Sequence, residues 1–392
     1  MKTGWQNKPL ADVCTLINGR AYKKDELLET GKYLVLRVGN FFTNNHWYHS
    51  DLELDVDKYC DDGDLLYAWS ASFGPQIWDG GKVIYHYHIW KVLPNPTLVD
   101  KKFLFRLLEW DVDQIKLAHG TGTTMMHVSK GSMESRIVPI PPILEQQRIV
   151  TTLDEAFAGI ATATANAEKN LTNARELFES YLQSVLTNKG EGWETKKLGD
   201  VCSLLNRGIS PKYLEQDGIC VLNQKCIRDH RVTYEQSRRH DQEAKPVNQS
   251  RLIQLGDGLV NSTGTGTLGR VAQVRDAPIE PATVDSHVTI VRPKPDKFFL
   301  DFFGYMLVFI EEKIKEAGEG CGGQTELARS VLAEKFIVSY PISLSEQQCI
   351  VNKLDELLAE TKRLESIYQQ KLVALEELKK SILNQAFSGQ LQ

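Results

Sequence analysis

The eleven residues EQQRIVTTLDE (Glu145–Glu155) return as EQQCIVNKLDE (Glu346–Glu356), a constant offset of 201 positions with all but three residues identical. The likeness extends along the chain in a fixed order. GWQNKPLADVCTLIN (Gly4–Asn18) pairs with GWETKKLGDVCSLLN (Gly192–Asn206), and GDLLYAWS (Gly63–Ser70) faintly echoes GDGLVNST (Gly256–Thr263). HIWKVLPNP (His88–Pro96) parallels HVTIVRPKP (His287–Pro295), and GTGTTMMHVS, from Gly120, aligns with GCGGQTELAR, from Gly320. The offset drifts from 188 to 201 while the order holds, as expected of a duplicated unit whose loops have diverged. A chain of 392 residues exceeds one ordinary core, and the repeat says how it divides.

Each copy changes character at a proline-marked boundary (Pro139, Pro141 and Pro142; Pro341). Before it lie strand-like runs such as YLVLRV, KVIYHYHIWKVL, RVAQVRD and HVTIVRP, separated by Gly, Asn, Asp and Pro. Short helical patterns intervene at Phe103–Leu108 and Phe298–Lys315. After the boundary there is no proline, and apolar residues recur at alternating steps of three and four, a heptad seam. The first seam reads Ile149, Leu153, Ala156, Ile160, Ala163, Ala167, Leu171, Ala174, Phe178, Tyr181 and Val185, with a stutter at Ala163–Ala167–Leu171. The second reads Ile350, Leu354, Leu357, Thr361, Leu364, Tyr368, Leu375, Leu378 and Ile382, with Lys371 as its polar interruption.

Alanines in one helix and larger residues in the other predict an intramolecular pair. The expected fold is therefore α+β. Two similar α/β domains (1–142 and 192–342) are separated by two long antiparallel helices (143–191 and 343–392), related by a pseudo-two-fold axis. That arrangement is a dumbbell.

The net charge of −5 argues only weakly against a nucleic-acid partner, because of where the acid sits. Residues 1–142 hold 16 basic and 17 acidic side chains, and 192–340 hold 20 of each. The helical stretches therefore carry most of the excess. Seven cysteines without a CxxC pair fit reduced thiols rather than disulfides or a zinc site. No apolar run is long enough for a bilayer, and the start lacks a secretory h-region, so a cytoplasmic protein without membrane contact is expected.

Catalytic signatures are missing. GTGTLG (Gly264–Gly269) matches GxGxxG but leads into a strand-like run, so a loop between strands is expected rather than a dinucleotide site. There is no asparagine-proline-proline-aromatic signature, no phosphate loop, and no nuclease acidic–x–Lys. His86 and His88 lack a third ligand and read as packed or surface residues.

The loops instead offer hydrogen-bonding groups and cations suited to base edges and phosphates. NGRAYKK supplies Arg20, Tyr22, Lys23 and Lys24, and RVGNFFTNNHWY supplies Arg37, Asn40, Asn44 and Asn45. Ser70, Ser72, Gln76 and Thr123 complete the first copy's candidates. In the second copy NRGISPKY gives Arg207, Lys212 and Tyr213, and NQKCIRDHR gives Asn223, Gln224, Lys225, Arg228 and Arg231. Ser262, Thr263, Thr265, Arg270 and Gln324 follow, with Arg238, Arg239 and Lys245 as possible backbone contacts.

IVPIPPILEQQRIVTTLDE and YPISLSEQQCIVNKLDE resemble the boundary and helix start found twice in the specificity subunits of Type I restriction-modification systems. The openings at Trp5 and Trp193, and the closing LKKSILNQAFSGQL (Leu378–Leu391), resemble the same family. The second boundary departs by lacking the paired prolines. The resemblance implies a non-catalytic subunit whose two target recognition domains each read one half of a gapped site in double-stranded DNA. The helices would fix the gap and dock two methyltransferase (modification) subunits, and restriction/translocase subunits would join them. S-adenosylmethionine, ATP and magnesium would belong to those partners, none being bound by this chain. A Type IIB-like or modification-only methyltransferase complex is the alternative setting. The family's recognition domains vary too much to transfer base-contacting positions.

Overall fold

In the computed structural model, residues 4–42, 45–70, 72–119, 127–319 and 326–391 are described, the side chains of 117–119 and 319 excepted. The chain forms two compact units, Met1–Glu168 with Gln369–Gln392, and Lys169–Tyr368. Each unit therefore contains the start of one long helix and the end of the other.

The first unit carries two four-stranded sheets. One is antiparallel, ordered Cys14–Asn18, Ile89–Pro94, Leu65–Ser70, Ser72–Ile77. The other is ordered Tyr48–Ser50, Tyr33–Leu36, Val83–Tyr85, Tyr59–Cys60, with Tyr33–Leu36 parallel to Val83–Tyr85. The run KVIYHYHIWKVL is thus two strands, and His86–His88 form the turn where the chain passes from one sheet to the other. The helix Lys101–His119 buries Phe103, Leu104, Leu107 and Leu108 at helical spacing against Leu16, Tyr67 and Trp90.

The second unit repeats this plan. Its antiparallel sheet runs Cys202–Arg207, Val288–Pro293, Gly258–Asn261, Val271–Gln273. Its mixed sheet runs Tyr213–Leu214, Arg238–His240, Ile219–Leu222, Ala282–Val284, again with one parallel pair. Gly19 and Gly208 mark equivalent crossings. A Cβ on Gly19 would lie 2.3 Å from the Tyr85 carbonyl oxygen, and one on Gly208 would lie 1.9 Å from that of Val284. Only glycine lets the backbones approach so closely. A hairpin, Ile227–Arg228 with Arg231–Val232, turns at Asp229 and His230, both left-handed (φ 51° and 57°) as a two-residue turn of this hand requires.

GTGTLG lies in the turns between Gly258–Asn261 and Val271–Gln273, which pair antiparallel. No helix opens there, so the phosphate-cradling geometry is absent.

The long helices are continuous over Ile143–Thr187 and Leu344–Phe387. Within the first unit, Lys379 sits over the Phe157 ring and Arg148 reaches the Leu391 carbonyl. Within the second, Arg175 bonds Glu365 and Phe178 packs in one cluster with Leu354. Partners advance along one helix as they retreat along the other, so the pairing is antiparallel in each unit.

Ile149, Leu153, Phe178 and Leu354 are buried, while Ile160, Leu171, Ile350, Leu357, Leu364, Leu375 and Ile382 are half-buried. Leu378 departs from the expected seam at 46% exposed. There the helix turns a broader face, Ile382, Leu383, Ala386 and Phe387, into the core of the first unit. Likewise Leu182 and Leu186 are buried, where the heptad pattern placed Tyr181 and Val185. The C-terminal ends of both helices obey domain packing, not the coiled-coil period.

The repeated motif is built into these ends. Gln146 and Gln347 are fully buried, and Asp154 and Asp355 bond Arg106 (2.8 Å) and Arg275 (3.1 Å) of their own units.

Candidate nucleic-acid interface

At the sheet crossing of each unit the turn after the parallel strand closes on its own side chain. The His88 N–H donates to His86 Nδ1 (3.4 Å), and the His287 N–H donates to the Asp285 carboxylate (2.9 Å). The next strand is held alike in both, through Trp69 N–H to the His88 carbonyl and Ser262 N–H to the His287 carbonyl.

In the first unit this crossing is an aromatic–imidazole cluster. Trp69 meets His88 edge-on at 4.9 Å, His127 lies 6.0 Å from Trp69, and Tyr22 stacks on His86. Burial, then His88 and Arg37, push the His86 imidazole down to about 4. Burial and His127 lower His88 as well.

Of the loop candidates, Arg20 is held bidentate by Glu26 (2.7 and 2.9 Å), which keeps the Glu26 carboxyl down at about 2. Arg37 lies over Tyr48, and Asn40 shapes its own loop by donating to the His46 carbonyl. Lys23, Lys24, Asn45 and Ser72 are exposed and Gln76 is half-buried. Ser70 is buried, and its backbone pairs in a bridge with that of His127. Asn44, Thr123 and Gln324 lie outside the described residues.

In the second unit the crossing opens into a groove of about 440 Å³ lined by Tyr213, Asn223, Gln224, Lys225, Glu235, Gln236, Ser237, Arg238 and Asp285. The Arg238 guanidinium lies 3.5 Å above the Tyr213 ring. Asn223 is spent at both ends of its carboxamide, donating to the Gln236 carbonyl (2.6 Å) and accepting from the Lys225 N–H (2.8 Å). The Gln224 amide nitrogen is tied to the Thr263 carbonyl (2.6 Å) and hydroxyl (2.8 Å).

Asp285 is 4% exposed, and burial raises its carboxyl above the usual range, the backbone of His287 opposing this. Thr263 also meets His287 Nδ1 at 2.7 Å.

The other candidates scatter. Arg207 pairs with Glu326 and donates to the Leu327 carbonyl. Lys212, Arg228, Arg231 and Thr265 are exposed, and Arg270 donates to the Gly266 carbonyl. Ser262 is fully buried against Thr289 and cannot be reached. Arg239 is paired with Glu280, and Lys245 donates to the Ser210 carbonyl.

Sequence reasoning assembled Tyr213, Asn223, Gln224 and Lys225 but missed Asp285 and the Glu235–Ser237 wall. It also set aside His86 and His88. The signal for Asp285 lay in the repeat, where YHYH aligns with VDSH (Val284–His287). Chemically, the groove joins cations at its edge to fixed acceptors within. Among the described residues, no group of His, Cys, Asp and Glu is placed to hold a metal, and no helix is long and apolar enough to cross a membrane.

A family model described as the Type I restriction modification DNA specificity domain matches residues 2–172 and again 190–373. The specificity subunit of the Type I restriction enzyme EcoBI from Escherichia coli is 21% identical, over 99% of this chain and 86% of its own. That of EcoKI, from strain K12, is 23% identical over 99% and 89%. Among solved structures, a chain from work on complex assembly and conformational transition of the type I R-M system superposes with a TM-score of 0.79 at 19% identity, covering 100% of this chain and 99% of that one. The HsdS subunit from Thermoanaerobacter tengcongensis gives 0.57 at 17% identity, covering 100% and 98%.

Proposed function

The chain belongs to the Type I restriction modification DNA specificity family, and from that premise we propose that it reads a bipartite DNA site, one half through each unit. The observation that carries this reading is the repeated crossing turn. One scaffold occurs twice, with different polar side chains at equivalent positions. Two like scaffolds with unlike readers suit an asymmetric site. The loops around the turns hold exposed Lys23, Lys24, Lys225 and Arg228, which supply phosphate contacts.

The helices act as the spacer that fixes the unread gap, and their exposed faces dock the methyltransferase subunits. Methyl transfer, translocation and cleavage belong to partner subunits, together with S-adenosylmethionine, ATP and magnesium. This chain supplies specificity.

The test is to express it with its methyltransferase partner and map methylated bases genome-wide. The expected result is one gapped motif with two defined halves and a constant spacer. The purified complex should bind that motif at least a thousandfold more tightly than scrambled DNA, a ratio of order 10³ being the low end for specific readers. Methylation without a motif, or equal binding to both DNAs, would refute it.

A further inference from the structure

The groove of the second unit contains a chemical asymmetry that the general reading leaves unused. Its inner wall presents acceptors. The Asp285 carboxylate accepts from backbone N–H groups of its own turn, and no side-chain donor reaches it among the described residues. Gln224 is locked by two bonds from its amide nitrogen, which fixes its Oε1 as the free end. A buried carboxylate with spare lone pairs is costly unless a donor arrives. That donor cannot be a phosphate, which carries the same charge. The groove edge carries cations: Lys225 is exposed, and Arg238 lies across the Tyr213 ring and hydrogen-bonds its phenol, with Glu235 on the same lining.

We propose that Asp285, with Gln224 beside it, is a base-specificity determinant that accepts a hydrogen bond from the exocyclic amino group of a cytosine or adenine. Lys225 and Arg238 hold the flanking phosphates. In the major groove only cytosine N4 and adenine N6 present such a donor, whereas guanine O6 and thymine O4 present acceptors that a carboxylate repels. The first unit has His86 at the equivalent position. Its Nδ1 is occupied as an acceptor, so the neutral ring carries its proton on Nε2 and is a donor. The two units thus differ in hydrogen-bond polarity at one scaffold position.

This inference rests on the chain being a DNA reader, and the experiment separates the two. The complex with the methyltransferase partner is titrated with its mapped site. Each adenine or cytosine is then replaced in turn by an analogue lacking the amino group, for wild type and for Asp285→Asn. Asparagine keeps the acceptor that closes the turn and adds a donor.

At one position of one half-site, the wild type should lose roughly tenfold to hundredfold in affinity on removal of the amino group. Asp285→Asn should lose most of that discrimination there and gain tolerance for guanine or thymine. The other half-site and the spacer should be unchanged, which also reports a folded variant. Asp285→Ala, with the same readout, should lose the discrimination without gaining the new tolerance. If the analogue penalties are the same in wild type and both variants at every position, the assignment of Asp285 is overturned while the DNA reading stands. If wild type shows no sequence preference, both fall.

Discussion

Gln146 and Gln347 hold the same three backbone groups in their respective units. Each Oε1 accepts an N–H at 2.8 Å, from Asp100 and from Phe299. Each amide nitrogen donates to the carbonyl two residues before that one, Leu98 and Lys297, and to the carbonyl of a proline before the helix, Pro141 and Pro341. The motif's central carboxamide therefore rivets the helix start to its domain. Replacing either residue by alanine strands buried backbone groups, so unfolding free energy should fall by about 3 kcal/mol. Gln147 and Gln348 are exposed, and their alanine variants should stay within about 0.5 kcal/mol of wild type. Urea denaturation of the four variants decides it, and equal effects at neighbouring positions would refute the rivet.

Asp257, 1% exposed, holds Arg292 through both carboxylate oxygens at 2.7 and 2.8 Å, and also accepts the Gln254 N–H. Removing the acid leaves a largely buried guanidinium uncompensated. Asp257→Ala should cost about 3–5 kcal/mol. Breaking the exposed pair Lys353–Glu356 should shift the midpoint far less, because solvent screens it. Denaturation midpoints showing the two pairs to be equivalent would contradict this ranking.

His86 gives a pH signature in the first unit. Its imidazole is pushed down to about 4 by burial, then by His88 and Arg37, so folding favours the neutral ring. The stability this confers is fully present above the ordinary value near 6.5 and is lost as pH falls from there towards 4. Imidazole nitrogen NMR should show His86 titrating near 4, and Arg37→Ala should move the midpoint upward. A midpoint at the ordinary value would mean the ring is solvated.

Much of this was legible in the sequence because repetition is a long-range signal that survives loop divergence. It exposed the two domains and the two helices that begin at the EQQ motifs. The seam was legible from the start of each helix through its middle, but not at its C-terminal end. At Leu378 and Tyr181 the heptad period gives way to packing against a domain, which no local pattern encodes. The interface was harder. Arg20 and Arg207 look like equal readers in sequence, yet Glu26 and Glu326 occupy them. Asp285 looks like a turn residue until the sheet crossing places it in a groove. Chain crossings join residues that sequence keeps apart.

Salt dependence should separate occupied cations from available ones. Lys225→Ala and Arg238→Ala should each reduce the slope of log affinity against log salt by roughly 0.9, one phosphate contact apiece. Arg20→Ala should reduce it by less, because Glu26 already neutralises that guanidinium. Binding of the methyltransferase complex to its site across a salt series measures all three. Equal slopes for the Arg20 and Arg238 variants would mean the Arg20–Glu26 pair opens on DNA.

The spacer role makes a geometric prediction. Four residues inserted into a helix add about 6 Å and come within about 40° of a full turn, which nearly restores the face presented to a partner. Inserted beside Ala163 alone, they shift one seam against the other. Inserted also beside Leu375, they keep both helices matched. The matched variant should methylate a site with the same two half-sites and a spacer longer by about two base pairs, at roughly 3.4 Å each. The single insertion near Ala163 should likewise alter the preferred spacer and leave the bases read unchanged, but at a cost in stability. Methylation mapping reads half-sites and spacer together. An unchanged spacer in the matched variant would show that the helices do not measure the gap, whereas altered half-sites would show that they position the readers within each unit.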